Sequence, residues 1–251
     1  MSAVHVEHTR DARWLSNSYL VYDRPGGHGV LIDTGGPWEP LRARVEELRL
    51  TPTHVLCTHH HPDHVAHNDD WRGAYGCPVC GHRAEAALFG DLDERLEDGA
   101  EVRSGDLVVR ALHVPGHTLG QLAFLVNESL LFTGDTLFRG TVGGTRGVGH
   151  TNFEDLQRSI LDVLLARPRA TRVLPGHMEE TTVGAELDGN PFVRQWRGLD
   201  APAETPCTAL GEPATLLLRA RDYDGGTKCL VRFVGDGRVD VVPGSRVHDA
   251  P

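Results

Sequence analysis

Short apolar runs of strand length recur along this chain, separated by stretches of helical spacing. Residues 4–6, 18–22 and 29–32 read as strands, with Arg24-Pro25-Gly26-Gly27 as the turn between the second and third. Leu41, Val45 and Leu48 lie four and three apart with charges between them, which predicts an amphipathic helix over 37–50. A strand over 53–57 follows. Residues 68–72 predict a helix or turn, 78–79 a short strand, 83–89 a further helix and 91–98 an acidic, solvated stretch. Residues 102–114 predict two short strands about Ser104-Gly105-Asp106. Residues 121–126 and 130–133 predict a hairpin about Asn127-Glu128-Ser129. Leu156, Ile160, Val163 and Leu164 share one face of a helix over 153–165. A strand over 172–174 and a helix opening near Thr181 and ending near Gly189 complete the series.

The order strand–strand–strand–helix–strand–helix, roughly repeated in the second half, predicts a mixed α/β layered domain over residues 1–200. Residues 201–213 are rich in Pro, Ala and Thr and read as a linker. Beyond it, 215–220, 228–234 and 238–242 read as strands joined by Asp224-Gly225-Gly226 and Asp236-Gly237 turns. A β-rich extension of about fifty residues is too small for an independent core and is expected to pack on the main domain.

Composition narrows the function classes. The chain has 251 residues, 24% charged and 39% hydrophobic, as expected of a globular protein. Its formal net charge of −10 disfavours a broad nucleic-acid-binding face. No apolar stretch approaches a membrane span and the N-terminal residues show no signal-peptide core, so a cytoplasmic protein without membrane association is expected. Five cysteines, an odd number, argue against structural disulfides. Cys77-Pro-Val-Cys80 has no second C-x-x-C to complete a zinc ribbon and reads as small buried side chains, as does Cys57.

The chemistry concentrates at Cys57 to His64, C-T-H-H-H-P-D-H, directly after the apolar pair Val55-Leu56. Residues two apart in extended backbone project to one side, so His59 and His61 can face one point. Pro62 suits a turn or the first positions of a helix and re-aims Asp63 and His64. One segment can thus offer two imidazoles to one metal and a carboxylate plus an imidazole to a second. That donor set suits zinc, iron or manganese. A metal site needs further ligands, and P-G-H-T (Pro115 to Thr118), T-G-D-T (Thr133 to Thr136) and P-G-H (Pro175 to His177) each close an apolar strand-like run. The glycine-rich stretch 138–151 lacks the ending of a P-loop and reads as an active-site wall, from which Arg139 and Arg146 could steer an anionic substrate. Asp33, at the end of a predicted strand, could orient a metal-bound imidazole from behind.

H-x-H-x-D-H followed by G-H-T, G-D-T and G-H in that order resembles the metallo-β-lactamase-fold hydrolases. T-H-H-H-P-D-H, F-T-G-D-T-L-F and P-G-H-x-E-x-T-T-x-G-x-E resemble most the glyoxalase II (hydroxyacylglutathione hydrolase) branch. The resemblance covers roughly the first 195 residues. It implies an αββα sandwich with a small C-terminal β appendage and two divalent metal ions, zinc first and iron or manganese as alternatives. It implies that His59, His61 and His117 hold one ion, that Asp63, His64 and His177 hold the other, and that Asp135 bridges them. It also gives D-T-G-G at Asp33 the role of supporting the metal loop. True β-lactamases of this fold lack the bridging aspartate, so Asp135 argues against antibiotic hydrolysis. The activity implied is hydrolysis of a small-molecule thioester, with Asp63 aiming the water-derived nucleophile. Glyoxalase II grips glutathione with basic and tyrosine residues, several in a C-terminal helical region. Here the tyrosines are Tyr19, Tyr22, Tyr75 and Tyr223 and the tail is β-patterned, so no glutathione contact carries over. A mononuclear iron persulfide dioxygenase of similar fold, using His59, His117 and Asp135, is the alternative. Another ester or lactone, or RNA, would be the substrate of further branches.

Overall fold

The computed structural model describes residues 4–249; residues 1–3 and 250–251, the outer ends of the two units read from the sequence, lie outside the described part. Strands β1 (His5–Arg10), β2 (Asn17–Tyr22), β3 (His28–Ile32), β4 (Thr51–Leu56), β5 (Val79–His82) and β6 (Glu94–Leu96) form a six-stranded sheet in that order. It is antiparallel up to β3 and parallel from β3 to β6. The second sheet contains β7 (Glu101–Ser104), β8 (Leu107–His113), β9 (Leu122–Val126) and β10 (Leu130–Gly134). A two-stranded ribbon of β11 (Leu137–Phe138) and β12 (Thr141–Val142) follows, and then β13 (Arg172–Pro175) and β14 (Thr181–Thr182) complete the second sheet. Its order is β14-β13-β10-β9-β8-β7, with β10 and β13 parallel.

Alternation along the strands assigns the faces. In β2, Tyr19 and Val21 point into the core between the sheets, while Leu20 and Tyr22 pack beneath helices α1 (Trp38–Leu48), α2 (Pro62–Val65) and α3 (Asn68–Tyr75). In β9, Leu122, Phe124 and Val126 enter the same inter-sheet core, and Ala123 and Leu125 face the far side. Both faces of these strands are covered, which is why they read as continuous apolar runs. Past a short α4 (Ala86–Phe89), the helices of the far side are α5 (Phe153–Arg158), continuing as one π-helical segment Ser159–Leu164, then α6 (Val183–Gly189) and α7 (Pro191–Trp196). The layers are therefore helices, sheet, sheet, helices: the αββα arrangement. Among the described residues no helix is long and apolar enough to cross a membrane.

Three local readings change. The acidic stretch 91–98 contains β6, an exposed parallel edge strand whose charges suit an unpaired edge. Helix α7 was not expected, although Asn190 caps it and Pro191 occupies its first turn. Within 201–213, Thr205–Ala209 is a strand, β15, so the irregular connection is shorter than the composition suggested.

Beyond that connection a five-stranded antiparallel sheet contains β15, β16 (Glu212–Arg221), β17 (Thr227–Phe233), β18 (Val239–Pro243) and β19 (Val247–Asp249), in the order β18-β17-β16-β15-β19. One face gathers its own cluster, including Leu216, Val231 and Phe233. The other sends Leu217, Leu230 and Val241 into the cluster of α5, α6 and α7. The C-terminal sheet is thus packed into the far-side layer. Leu230→Ala should cost about 2–5 kcal/mol of stability, read as a lower urea midpoint with unchanged m-value. A midpoint equal to the parent's would show that this face is not a packed core.

Candidate metal centre

The metal-binding loop leaves β4 in extended backbone. His61 keeps an extended conformation (φ −63°, ψ 143°) and Pro62 begins the one-turn helix α2, which carries Asp63 and His64. Each remaining segment leaves a strand of the second sheet: His117 follows β8, Asp135 follows β10 and His177 follows β13.

These side chains converge. His59 Nε2 lies 2.9 Å from His61 Nδ1, and His117 Nε2 lies 3.1 Å from the same atom. Asp63 Oδ2 is 3.5 Å from both His64 Nε2 and His177 Nε2. Asp135 sits between the two sets: its carboxylate is 3.3 Å from His64 Nε2, 3.3 Å from His177 Nε2 and 3.6 Å from His117 Nε2. Three groups come close enough to share an ion: His59-His61-His117, His59-His64-Asp135 and Asp63-His64-His177.

The chemistry of the cluster fits cations. Burial lowers the pKa of His59, His61 and His117, the last to about 4, so these imidazoles are neutral with lone pairs facing one another. Burial also disfavours charge on His64, but Asp135 and Asp33 outweigh it and hold that group well above the usual histidine range. The carboxylates therefore call for positive charge beside His64. The buried atoms His64 Nε2 and Asp135 Oδ1 have no hydrogen-bond partner among the described residues.

The protein orients the rings from behind. Asp33 accepts from Thr58 N–H (2.7 Å) and Thr58 Oγ1 (2.8 Å) and pairs with His64 Nδ1 (2.8 Å). Gly144 O faces His117 Nδ1 at 2.8 Å, and Val148 O faces His61 Nε2 at 3.1 Å, so the glycine-rich loop fixes two imidazoles through its carbonyls. Gly176 is required by close approach: a Cβ there would lie 2.4 Å from Asp135 Oδ1.

Several contributors escaped the sequence reading. Asn17 Nδ2 donates to Pro175 O (2.9 Å) and Met178 O (2.8 Å), pinning the loop that carries His177. Tyr223, from the β16–β17 turn, stacks on His177 at 4.3 Å with 17° between the planes. Glu85 is buried and accepts from His60 N–H (3.2 Å) and Gly120 N–H (2.7 Å), and pairs with His60 Nδ1 (2.8 Å). It ties the His59–His64 loop to the His117 loop. Glu85→Ala strands these donors, at about 3 kcal/mol in all, and should lower Tm by roughly 6–12 °C. An unchanged melting curve would remove Glu85 from this role.

The two arginines part company. Arg146 lines the cavity at His117 and Asp135, but its guanidinium is bound to Asp240 Oδ2 at 2.8 Å. Arg139 is exposed and lines a separate surface groove with Arg172, Glu179 and Glu180. It is not among the residues that line the cavity and sits in the connection between β11 and β12. Cys77 and Cys80 are free and buried in the apolar clusters.

Known proteins resemble this chain in sequence and fold. An uncharacterized protein of Mycobacterium tuberculosis is 36% identical over 207 residues, covering 70% of this chain and 92% of that one. A hydroxyacylglutathione hydrolase of Methylococcus capsulatus is 38% identical over 186 residues, covering 70% of this chain and 69% of its own. Among solved structures, the B3 metallo-beta-lactamase BLEG-1 matches with a TM-score of 0.68 at 29% identity, over 75% of this chain and 99% of that one. ETHE1 from Myxococcus xanthus matches at 0.66 and 28%, over 79% and 92%. TTHA1623, solved in a di-iron-bound form, matches at 0.60 and 34%, over 73% and 98%. The metallo-beta-lactamase superfamily itself matches residues 12–177, which include His59, His61, Asp63, His64, His117, Asp135 and His177, and the chain belongs to that superfamily.

Proposed function

We propose that the chain is a cytoplasmic binuclear thioester hydrolase of the hydroxyacylglutathione hydrolase type. His59, His61 and His117 would hold one divalent ion, Asp63, His64 and His177 a second, and Asp135 would be shared. Two such ions supply Lewis-acid polarisation of a carbonyl and lower the pKa of water. The observation that carries this reading is the second cluster, Asp63-His64-His177, beside His59-His61-His117, with the Asp135 carboxylate within 3.6 Å of histidines of both. A mononuclear oxygenase using His59, His117 and Asp135 would leave His61, Asp63, His64 and His177 without an ion to hold.

Asp63 is only partly buried, so its free oxygen can accept a hydrogen bond from the attacking water and orient it. In the reaction a C–O bond forms and the C–S bond breaks. One water proton is taken up by the departing thiolate, and the acid product loses the other. A thiolate leaves without strong general-acid help, so the step does not depend on a separate acid in the site. Zinc is the first expectation. The likeness to a di-iron protein keeps iron beside it. Five free buried cysteines suit a reducing compartment.

A second reading rests on the likeness to ETHE1: an iron-dependent persulfide dioxygenase using His59, His117 and Asp135. The discriminating experiment measures thiol release from S-lactoylglutathione and other acyl thioesters, with oxygen uptake on glutathione persulfide in parallel. Thiol release without oxygen uptake supports the hydrolase. Oxygen uptake without thiol release overturns it. The likeness to a B3 metallo-beta-lactamase makes a β-lactam the control substrate, with no turnover expected.

A further inference from the structure

The C-terminal sheet lies beyond the superfamily match, yet it reaches the metal centre. Its β16–β17 turn is closed by Asp222 N–H on Gly226 O (3.1 Å), and Gly225 adopts φ 84°. The turn carries Tyr223 over His177, with the same ring edge-on to Phe138 at 5.3 Å. Lys228 fastens the turn from below. It is 6% exposed, and its Nζ donates to Val142 O (2.6 Å), pairs with Asp222 Oδ1 (3.0 Å) and lies 5.5 Å over the rings of Phe138 and Tyr223.

Tyr223 borders two cavities. One, of about 320 Å³, is lined by His117, Asp135, Phe138, Lys228 and Val241 as well as Tyr223. The other, of about 410 Å³, is lined by Arg13, Trp14, Pro62, Asp63 and Asp224 in addition to Tyr223. Each thus touches a different metal-ligand cluster. A thioester has two arms diverging from one carbonyl, so an aromatic partition beside the reacting centre separates them.

Charge identifies which acyl group suits the first cavity. Lys228 is paired with Asp222. Arg146 is paired with Asp240, which also accepts from Thr145 Oγ1 at 2.6 Å. A substrate carboxylate would have to displace one of these internal partners or remain unpaired, both costly when desolvated. Phe138, Tyr223 and Val241 offer apolar surface instead. Resting on the hydrolase reading above, we propose that Tyr223 and the β16–β17 turn determine specificity, dividing the site into a compartment for an apolar, uncharged acyl group and a compartment for the thiol carrier.

Hydroxamates test this without turnover, because the hydroxamate head binds metal and its substituent occupies the acyl position. Binding to the zinc-loaded full chain is measured by calorimetry with phenylacetohydroxamic acid and succinic monohydroxamic acid. The wild type should bind the uncharged probe at least about tenfold more tightly. Tyr223→Ala should bring the two probes to within about threefold of each other while retaining metal content, since the phenyl ring loses its aromatic wall and the succinic carboxylate can reach the second cavity, which Arg13 lines. Tyr223→Trp, which keeps an aromatic wall but adds bulk, should weaken phenylacetohydroxamic acid relative to acetohydroxamic acid. Asp240→Asn, which releases Arg146, should strengthen the succinic probe. A wild type that prefers the succinic probe, or a Tyr223→Ala variant with the full preference, overturns the assignment. Hydroxamate selectivity as described with no thioester cleavage would leave the partition standing and remove the hydrolase reading. Thioester cleavage with identical acyl preference in wild type and Tyr223→Ala would do the reverse.

Discussion

Asp135→Ala should reduce the metal content from two ions per chain to one or none and lower thioester kcat/KM by about 10³-fold or more. Among the described residues, Asp135 is the carboxylate that lies within 3.6 Å of histidines from both sets. Without it, Asp63 alone would supply a carboxylate, to the second ion only, and nothing would hold the two ions at a fixed distance from each other. The effect should be larger than that of removing any single peripheral histidine contact, because both ions lose a ligand at once. Elemental analysis and steady-state kinetics on the same sample read the outcome. Retention of two ions with activity within about tenfold of the parent would show that Asp135 does not link the sites.

Asp33 should show a different signature, because it touches protein and not metal. Asp33→Ala leaves Thr58 N–H and Thr58 Oγ1 without their acceptor and frees His64 to rotate. It should destabilise the fold by about 3 kcal/mol and weaken the second ion about 10–100-fold. The conservative Asp33→Asn separates the two effects. Asparagine tolerates the left-handed backbone at this position (φ 54°) and keeps an acceptor for Thr58 N–H. Its amide N–H₂, however, faces His64 Nδ1 and demands the tautomer that carries its proton on Nε2, where the metal lone pair is needed. Asp33→Asn is therefore expected to melt close to the parent while losing the second ion. Equal metal affinity in Asn and wild type would show that the tautomer is not set from this side.

What was legible in the sequence and what was not divides along chain distance. His59, His61, Asp63 and His64 advertise themselves because they fall in one short segment, and His117, Asp135 and His177 because each ends an apolar run next to a glycine. The continuous apolar runs of β2, β3, β9 and β10 likewise mark strands covered on both faces, since each face must meet its own apolar neighbour. Glu85, Asn17 and Tyr223 carry no local mark: a glutamate in a short helical stretch, an asparagine at a strand start and a tyrosine in a turn are common. Their roles come from partners 25, 158 and 46 residues away. Arg146 illustrates the same limit, since its partner Asp240 lies 94 residues on, in the sheet that composition presented as an appendage. Helix α7 did have a local mark, Asn190-Pro191, an N-cap followed by a first-turn proline, but at six residues it shows too little periodicity to stand out.

The most direct measurement is metal per chain by elemental analysis on untagged protein, with thiol release from S-lactoylglutathione assayed on the same sample before and after chelation. The hydrolase account predicts two divalent ions per chain, thioester cleavage that disappears on chelation, and recovery on adding zinc. A single iron per chain with no thioester cleavage would contradict it.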